Sequence, residues 1–306
     1  MDGPEIGVFL PTMSAKGSLP GDVVAAARHA EDLGFESVWA VDQLVAGTGV
    51  PLVDSIVALS AVAASTERVN LGLGVVIIPI RPVVWIAKQV ASMQIVSGGR
   101  VVLGVGVGGD RHDRSWAAAG VPRRERGCRT DAALAVLPDL IAGQPVPLPD
   151  VEGAPVVELA PGAPVPPIVV GGTADAALVR AVRHGDGWFA MPVPPAWAAP
   201  SADRLRQLGA ETGRVAPAIT GSISVALDDD PTVPGRDEII GRLADPDGTY
   251  GMPDDAIPSM LVTGGADDVR ERVSGWAAIG AERVVFTLVA GDWHRQAELL
   301  AEATLR

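Results

Sequence analysis

Residues 100–116 read "RVVLGVGVGGDRHDRSW", and this run decides between two folds. Gly104, Gly106 and Gly109 have the G-x-G-x-x-G spacing of a dinucleotide-binding turn. Such a turn opens a helix of small and apolar residues directly after its third glycine. Here Asp110, Arg111, His112, Asp113 and Arg114 follow, which is poor chemistry for a helix packed on a sheet. The run is also the fourth strand-like segment of the chain, not the first. The Rossmann reading fails. Glycines at the C-terminal end of a barrel strand fit better, because a missing Cβ lets a flat ring lie against the backbone.

Outward from this run, short apolar segments recur at Ile6–Leu10, Ser37–Val41, Val69–Ile77, Val101–Gly106, Ile168–Gly171, Gly187–Met191, Ile219–Leu227 and Arg283–Val289. They are continuous rather than alternating, as expected of parallel strands buried on both faces. Between most of them lie helical patterns. In "GDVVAAARHAEDLGFESVWAVD" Asp22 is placed to cap a helix, Gly34 to end it, and a strand follows at once. Helices ending on Gly185 and Gly280 repeat the unit, and a last helix is expected at 293–305. Eight such strands predict an α/β fold, a (β/α)8 TIM barrel, with residues 1–306 as a single domain. Residues 107–123, 143–166 and 228–258 fall outside the repeat and are expected as insertions, chiefly in the loops after strands 4 and 7.

Composition narrows the function. Hydrophobic residues make up 48% of the 306 and charged residues 20%, enough apolar surface for a large core. A net charge of −13 argues against nucleic acid, whose phosphates need clustered Lys and Arg. Cys128 is the only cysteine, which excludes a disulfide framework, and an inert, partly buried thiol is the simplest expectation for it. "MDGPEIGVFLP" lacks a basic start followed by an apolar run. The most apolar stretch, 69–87, is cut by Pro79, Arg81 and Pro82. A cytoplasmic protein without membrane contact is expected.

The stretch "NLGLGVVIIPIRPVVWIAKQVASMQIVSGGRVVLGVGVGG" resembles the third and fourth strand region of the bacterial luciferase-like monooxygenase family. "AEDLGFESVWAVDQ", "PPIVVGGTADAALVRAVRHGDGWFAM" and "GGADDVRERVSGWAAIGAERVVFTL" extend the resemblance from residue 5 to about 300. It implies a barrel that uses coenzyme F420 for hydride transfer or reduced FMN with oxygen. Members often carry a non-proline cis peptide after strand three, and the matching position is Gly74-Val75; an ordinary strand is the alternative. In the deazaflavin branch this bulge backs the ring, so the resemblance implies F420, with FMN as the alternative and NAD disfavoured.

The same resemblance places candidate residues. Where deazaflavin members read Asp-His after strand two, this chain has Asp42 and Gln43. An amide can orient a substrate but cannot deliver a proton near neutral pH. Asp42 is expected either to work at the rim or simply to cap a helix. His112, in the loop after strand four, is the imidazole available as an acid, or a plain loop residue. Gly171, Gly172 and Thr173 stand at a strand end before a helix, where free backbone N–H groups can cradle a phosphate; a turn with Thr173 as N-cap is the other reading. Gly106, Val107 and Met191 complete the expected cofactor wall. No metal site is expected, and the triplet Asp228–Asp230 reads as a solvated turn.

Three functions follow. The first is an F420-dependent oxidoreductase moving a hydride to or from an electron-poor carbon of a small organic substrate. The second is an FMN monooxygenase served by a separate reductase. The third is a non-catalytic ligand-binding barrel. A homodimer burying "SIVALSAVAA" is expected. Trp116, Met191, Trp197, Tyr250 and Met252 are the apolar residues expected near a pocket.

Overall fold

The computed structural model describes all residues except 1, 2, 16, 110–112, 149, 150, 246–251, 253 and 254. The chain runs through β1 (Glu5–Phe9), α1 (Val23–Leu33), β2 (Ser37–Ala40), α2 (Ser55–Ala63), β3 (Asn70–Ile77), α3 (Val83–Ser97) and β4 (Val101–Gly106). The 107–166 region holds α4 (Asp113–Ala119), α5 (Arg126–Ile141) and a small hairpin, β5 (Val146–Pro147) with β6 (Val156–Val157). Then follow β7 (Ile168–Gly171), α6 (Asp175–His184), β8 (Gly187–Phe189), α7 (Pro195–Thr212) and β9 (Ala218–Leu227). The last part comprises α8 (Arg236–Ala244), α9 (Ile257–Met260), β10 (Leu261–Gly264), α10 (Ala266–Ala278), β11 (Ala281–Leu288) and α11 (Trp293–Thr304).

Eight strands close a parallel barrel in the order β1-β2-β3-β4-β7-β8-β9-β11, and β11 returns to β1. All eight segments expected from the sequence are barrel strands, with ends shifted by up to two residues. A ninth parallel strand, β10, was not anticipated. The reason lies in strand length. β8 has three residues and covers only Ala218–Thr220 of the ten-residue β9, so β10 takes up the edge from Ser224 to Leu227.

Local signals behave as read. Asp22 accepts from the N–H groups of Val24 (3.1 Å) and Ala25 (3.0 Å), and Gly34 ends α1 at φ 95°. That angle is costly for a residue with a Cβ. Outward-facing strand residues such as Ile6, Val38, Leu71, Leu103 and Ile223 pack with the helices in one continuous core. Among the described residues no helix is long and apolar enough to cross a membrane.

The inner face is layered. At the lower end Arg283 donates to Glu36 (2.7 and 2.9 Å) and to Glu5 (2.9 Å), and Asn70 Nδ2 donates to Glu36 (2.8 Å). Burial works to raise the Glu36 carboxyl, but Arg283 overrides it and holds the group below its ordinary value. Above this plug lies Trp39, wholly buried, with the Phe9 and Phe189 rings centred 6.4 and 5.2 Å away. A Cβ on Gly72 would fall inside the Trp39 indole, so the glycine is the seat of that ring.

Outside the barrel, Glu31 ties α1 to the start of β3. Its carboxylate accepts from the N–H groups of Glu67 (3.0 Å), Arg68 (2.7 Å) and Val69 (2.9 Å). Burial acts to raise this carboxyl, yet the three donors outweigh it and hold it below its ordinary value. A lowered carboxyl stabilises the fold above its unfolded value and loses that contribution as pH falls through the folded one. Glu31→Gln is therefore expected to lower stability at pH 7 and to flatten the acid side of a Tm-versus-pH curve. Parallel curves for the two proteins would exclude this role.

Candidate active site at the barrel mouth

β3 pairs regularly with β4 as far as Leu73↔Leu103 and resumes only at Val76↔Val105. Inside that register shift the Gly74–Val75 peptide is cis, at the position anticipated. The bulge presents the half-buried Val75 side chain to three glycines. A Cβ on Gly104 would lie 2.7 Å from Val75 Cγ1, and one on Gly106 or Gly171 would lie 2.6 or 3.2 Å from Cγ2. The glycines of β4 and β7 thus clear room for one valine. The sequence reading gave that space to a flat ring, and the structure gives it to Val75.

Asp42, just past β2, is buried and fully engaged. Its Oδ1 accepts from Ser55 Oγ (3.0 Å) and Arg81 (2.5 Å), and its Oδ2 from the Ile77 N–H (3.0 Å). It ties the end of β3 to the start of α2, while Asp54 caps that helix. Next to it Gln43 is half-buried, and its Oε1 atom is buried with no hydrogen-bond partner among the described residues. An unpaired buried acceptor is costly and suits a ligand that brings a donor. The loop after β2 is strapped to α4 by Val45 N–H to Ser115 Oγ (3.1 Å) and by Arg114 to Thr48 (2.6 Å).

Gly171 ends β7 opposite Phe189 of β8, so Gly171, Gly172 and Met191 stand on adjacent stretches of one rim. The Trp188 indole donates to the Gly172 carbonyl (2.7 Å) and turns it outward. In a trans peptide the next N–H points the other way, which directs that of Thr173 away from Trp188. Thr173 does not cap α6. The N-cap is Ala174, without a side-chain bond, and among the described residues the N–H groups of Thr173 and Ala174 have no partner. Asp175 in the first turn is held aside by Arg204 (2.9 Å). Such a turn can receive an anion.

Val107 follows Gly106 on the same rim and is half-buried, while Met191 and Trp197 are about half exposed. Trp116 is instead buried against Ile77 and Ile80, and Met252 is half-buried beside the cluster of Ile239, Leu243 and Ile257. His112 and Tyr250 lie outside the described residues. Cys128, expected to be partly buried, is exposed on α5, with its thiol donating to the Glu125 carbonyl (3.0 Å). Among the described residues no cluster of metal-ligand side chains occurs.

Two features escaped the sequence reading. Thr220, Ser222 and Ser224 are buried on the inner face of β9, opposite Ile219, Ile223 and Val225. The alternation in "AITGSISVAL" was the available signal. Asp230, read as part of a solvated turn, is buried. It accepts from Thr232 N–H (2.9 Å) and Oγ1 (2.6 Å), from Asp292 N–H (2.8 Å) and from Gln296 Nε2 (3.3 Å). This latch fixes the loop after β9 to the start of α11, and Asp228 and Asp229 alone are solvated.

The rim thus carries an apolar side chain at Val75, an unpaired acceptor at Gln43, and backbone N–H groups at Thr173 and Ala174 without partners among the described residues. An uncharacterised protein of Mycobacterium tuberculosis is 34% identical over 176 residues, 55% of this chain and 58% of that protein. An F420-dependent glucose-6-phosphate dehydrogenase of Beutenbergia cavernae is 33% identical over 184 residues, 58% of this chain and 54% of that protein. The chain thus spans little more than half the length of these curated relatives. A solved F420-dependent secondary alcohol dehydrogenase, in complex with an F420–acetone adduct, superposes with a TM-score of 0.81 at 17% identity, covering 99% of this chain and 98% of that one. The family model described as luciferase-like monooxygenase matches residues 5–283. The chain belongs to the luciferase-like monooxygenase family.

Proposed function

We propose that this protein is an F420-dependent oxidoreductase that transfers a hydride to or from an electron-poor carbon of a small organic substrate. The observation that carries the reading is the convergence at one rim of the Gly74–Val75 bulge, the glycines beneath it and the uncapped turn at Gly171, Gly172 and Thr173. The partial relative that uses F420 supports it. Bound there, the deazaflavin supplies a two-electron hydride donor or acceptor. A deazaflavin ring would be backed by Val75 and Val107, with Gly106 making room for Val75, and the Thr173 turn would receive the anionic tail. Gln43 Oε1 accepts a hydrogen bond from ring or substrate and so sets orientation. Asp42 holds the rim in place from behind. Met191 and Trp197 give the open side an apolar character, which suits a substrate less polar than a sugar phosphate.

Titration of the purified protein is expected to show F420 binding more tightly than FMN, with no measurable NAD. Micromolar FMN affinity without F420 binding would favour the second reading, a reduced-FMN monooxygenase served by a reductase, which the family's own description supports. On the leading reading the proton comes from His112, Asp42 or solvent, and His112→Ala is expected to slow turnover at saturating substrate while cofactor affinity stays within a few-fold. Unchanged turnover across neutral pH would assign the proton to solvent.

The assembly proposed is a homodimer. Most of the run "SIVALSAVAA" is buried within the chain by its own core, leaving Val57 exposed on α2 and Trp85, Ile95 and Val96 on α3. These side chains are the apolar surface that a second copy would cover. Light scattering is expected to give twice the chain mass at micromolar concentration, and Trp85→Glu to shift it toward the monomer.

A further inference from the structure

In the closed order of the barrel β9 stands four strands from β3 in either direction, so it faces the Gly74–Val75 bulge across the lumen. The inner face of β9 carries Ser222 and Ser224, and β11 adds Thr287, which pairs in register with Ser224. Alternation fixes the side. Gly221 backs onto Trp276 of α10, and Ile223 and Phe286 belong to the outer core, whereas Val285 joins Phe9 and Trp39 inside. Thr220 is level with Phe189 and Arg283, so Ser222 and Ser224 stand beyond the Phe189 ring toward the mouth. Partners on adjacent strands lie about 4.8 Å apart and alternate residues of one strand about 6.6 Å apart. Three hydroxyls at that spacing can converge on one atom.

Ser222 and Ser224 are 3% and 6% exposed, and Thr287 is half-buried. Among the described residues none of the three hydroxyls makes a hydrogen bond, and the two serine oxygens are not sealed but open on the lumen. Beyond them Ile239 and Leu243 of α8 pack with Ala226 and Leu261, the latter the register partner of Ser224, and so enclose this end of β9. Polar groups in such an enclosure without a protein partner are costly and suit a ligand. Charge is kept away from this level. Within the eight barrel strands the only charged residues are Glu5, Glu282 and Arg283, all at the lower end.

We propose that Ser222, Ser224 and Thr287 bind the oxygen of a neutral substrate, a ketone or an alcohol, and so determine which molecules the site accepts. The proposal rests on the F420 reading for the place of the ring, which against Val75 leaves the space toward β9 for the substrate. The chemistry of the wall selects the class. A hydroxyl donates or accepts as it rotates, so the same three groups serve a carbonyl, which only accepts, and an alcohol, which does both. A carboxylate or phosphate ester meets no counter-charge there and loses its hydration. A hydrocarbon leaves the hydroxyls unpaired.

The test titrates the full-length protein, with and without F420, with cyclohexanone, methylcyclohexane and cyclohexanecarboxylate. Binding is followed by NMR on the Val75 and Val285 methyl signals, and F420 affinity is measured separately by fluorescence. Cyclohexanone is expected to saturate the shifts, and cyclohexanecarboxylate to bind at least about tenfold more weakly. Ser224→Ala and Thr287→Val should each weaken cyclohexanone about three- to tenfold, the range for one lost neutral hydrogen bond. Methylcyclohexane and F420 should stay within about twofold, and Ser224→Thr, which keeps the hydroxyl, should restore cyclohexanone binding. If Ser224→Ala does not fold, Thr287→Val at the half-buried rim carries the test. No saturable cyclohexanone binding, equal binding by every variant, or cyclohexanecarboxylate binding as tightly would overturn the proposal. F420 failing to bind while cyclohexanone still depends on the hydroxyls would refute the F420 reading and support this wall. F420 binding without that dependence would overturn the wall alone.

Discussion

Asp42→Ala is expected to destabilise the protein by about 3–5 kcal/mol, the range for removing one partner of a buried ion pair. The carboxylate is buried and serves three donors at once, from Ser55, Ile77 and Arg81. Truncation leaves the Ile77 N–H and the Ser55 hydroxyl without acceptors in a buried place. Arg81 keeps only its longer contact to Asp54 (3.3 Å), so the cost is more than the loss of one bond. Asp42→Asn retains the shape and one acceptor and should cost about 1–3 kcal/mol. Urea unfolding measures both. A change below 1 kcal/mol for the alanine variant would show that the rim does not depend on this residue. Because Ile77 ends the strand that carries Val75, cofactor affinity is expected to fall along with stability.

The second large effect concerns the glycines. Gly104→Ala would place a Cβ onto the Leu73 carbonyl oxygen, a backbone atom in the adjacent strand. A side chain can turn away, but a backbone oxygen held in the β3–β4 ladder cannot move without breaking pairing. The cost is expected at about 3 kcal/mol or more, the upper part of the range for overpacked sites. A folded protein with unchanged urea midpoint would refute it. Gly171→Ala makes a useful contrast. Its Cβ would meet only Val75, at 3.2 and 3.4 Å, and that side chain can yield. Stability should then change by about 1 kcal/mol, and on the proposed function the displaced Val75 is expected to weaken F420 binding about tenfold, equivalent to 1.4 kcal/mol.

The barrel was legible because its signal is local. Each strand is a short continuous apolar run, each preceding helix ends on a glycine or comparable stop, and neither depends on the rest of the chain. β10 was not legible. "LVTG" is an ordinary apolar tetrapeptide, and it becomes a strand only because β8 stops short and leaves an edge of β9 unpaired. The Gly74–Val75 position was found through resemblance, not from propensity. What the neighbouring glycines do there was decided by packing across two further strands. Asp42 shows the same limit. Its place at a strand end was visible, but its three partners come from residues 13 to 39 positions away. Asp230 was misread because its burial comes from α11, more than sixty residues on. Sequence alone determined which segments fold and in what order, since hydrophobic periodicity and caps act over a few residues. Only the tertiary structure decided which polar groups are spent on holding the rim and which stay free for a ligand, because hydrogen-bond partners and excluded volume come from elements distant in the chain.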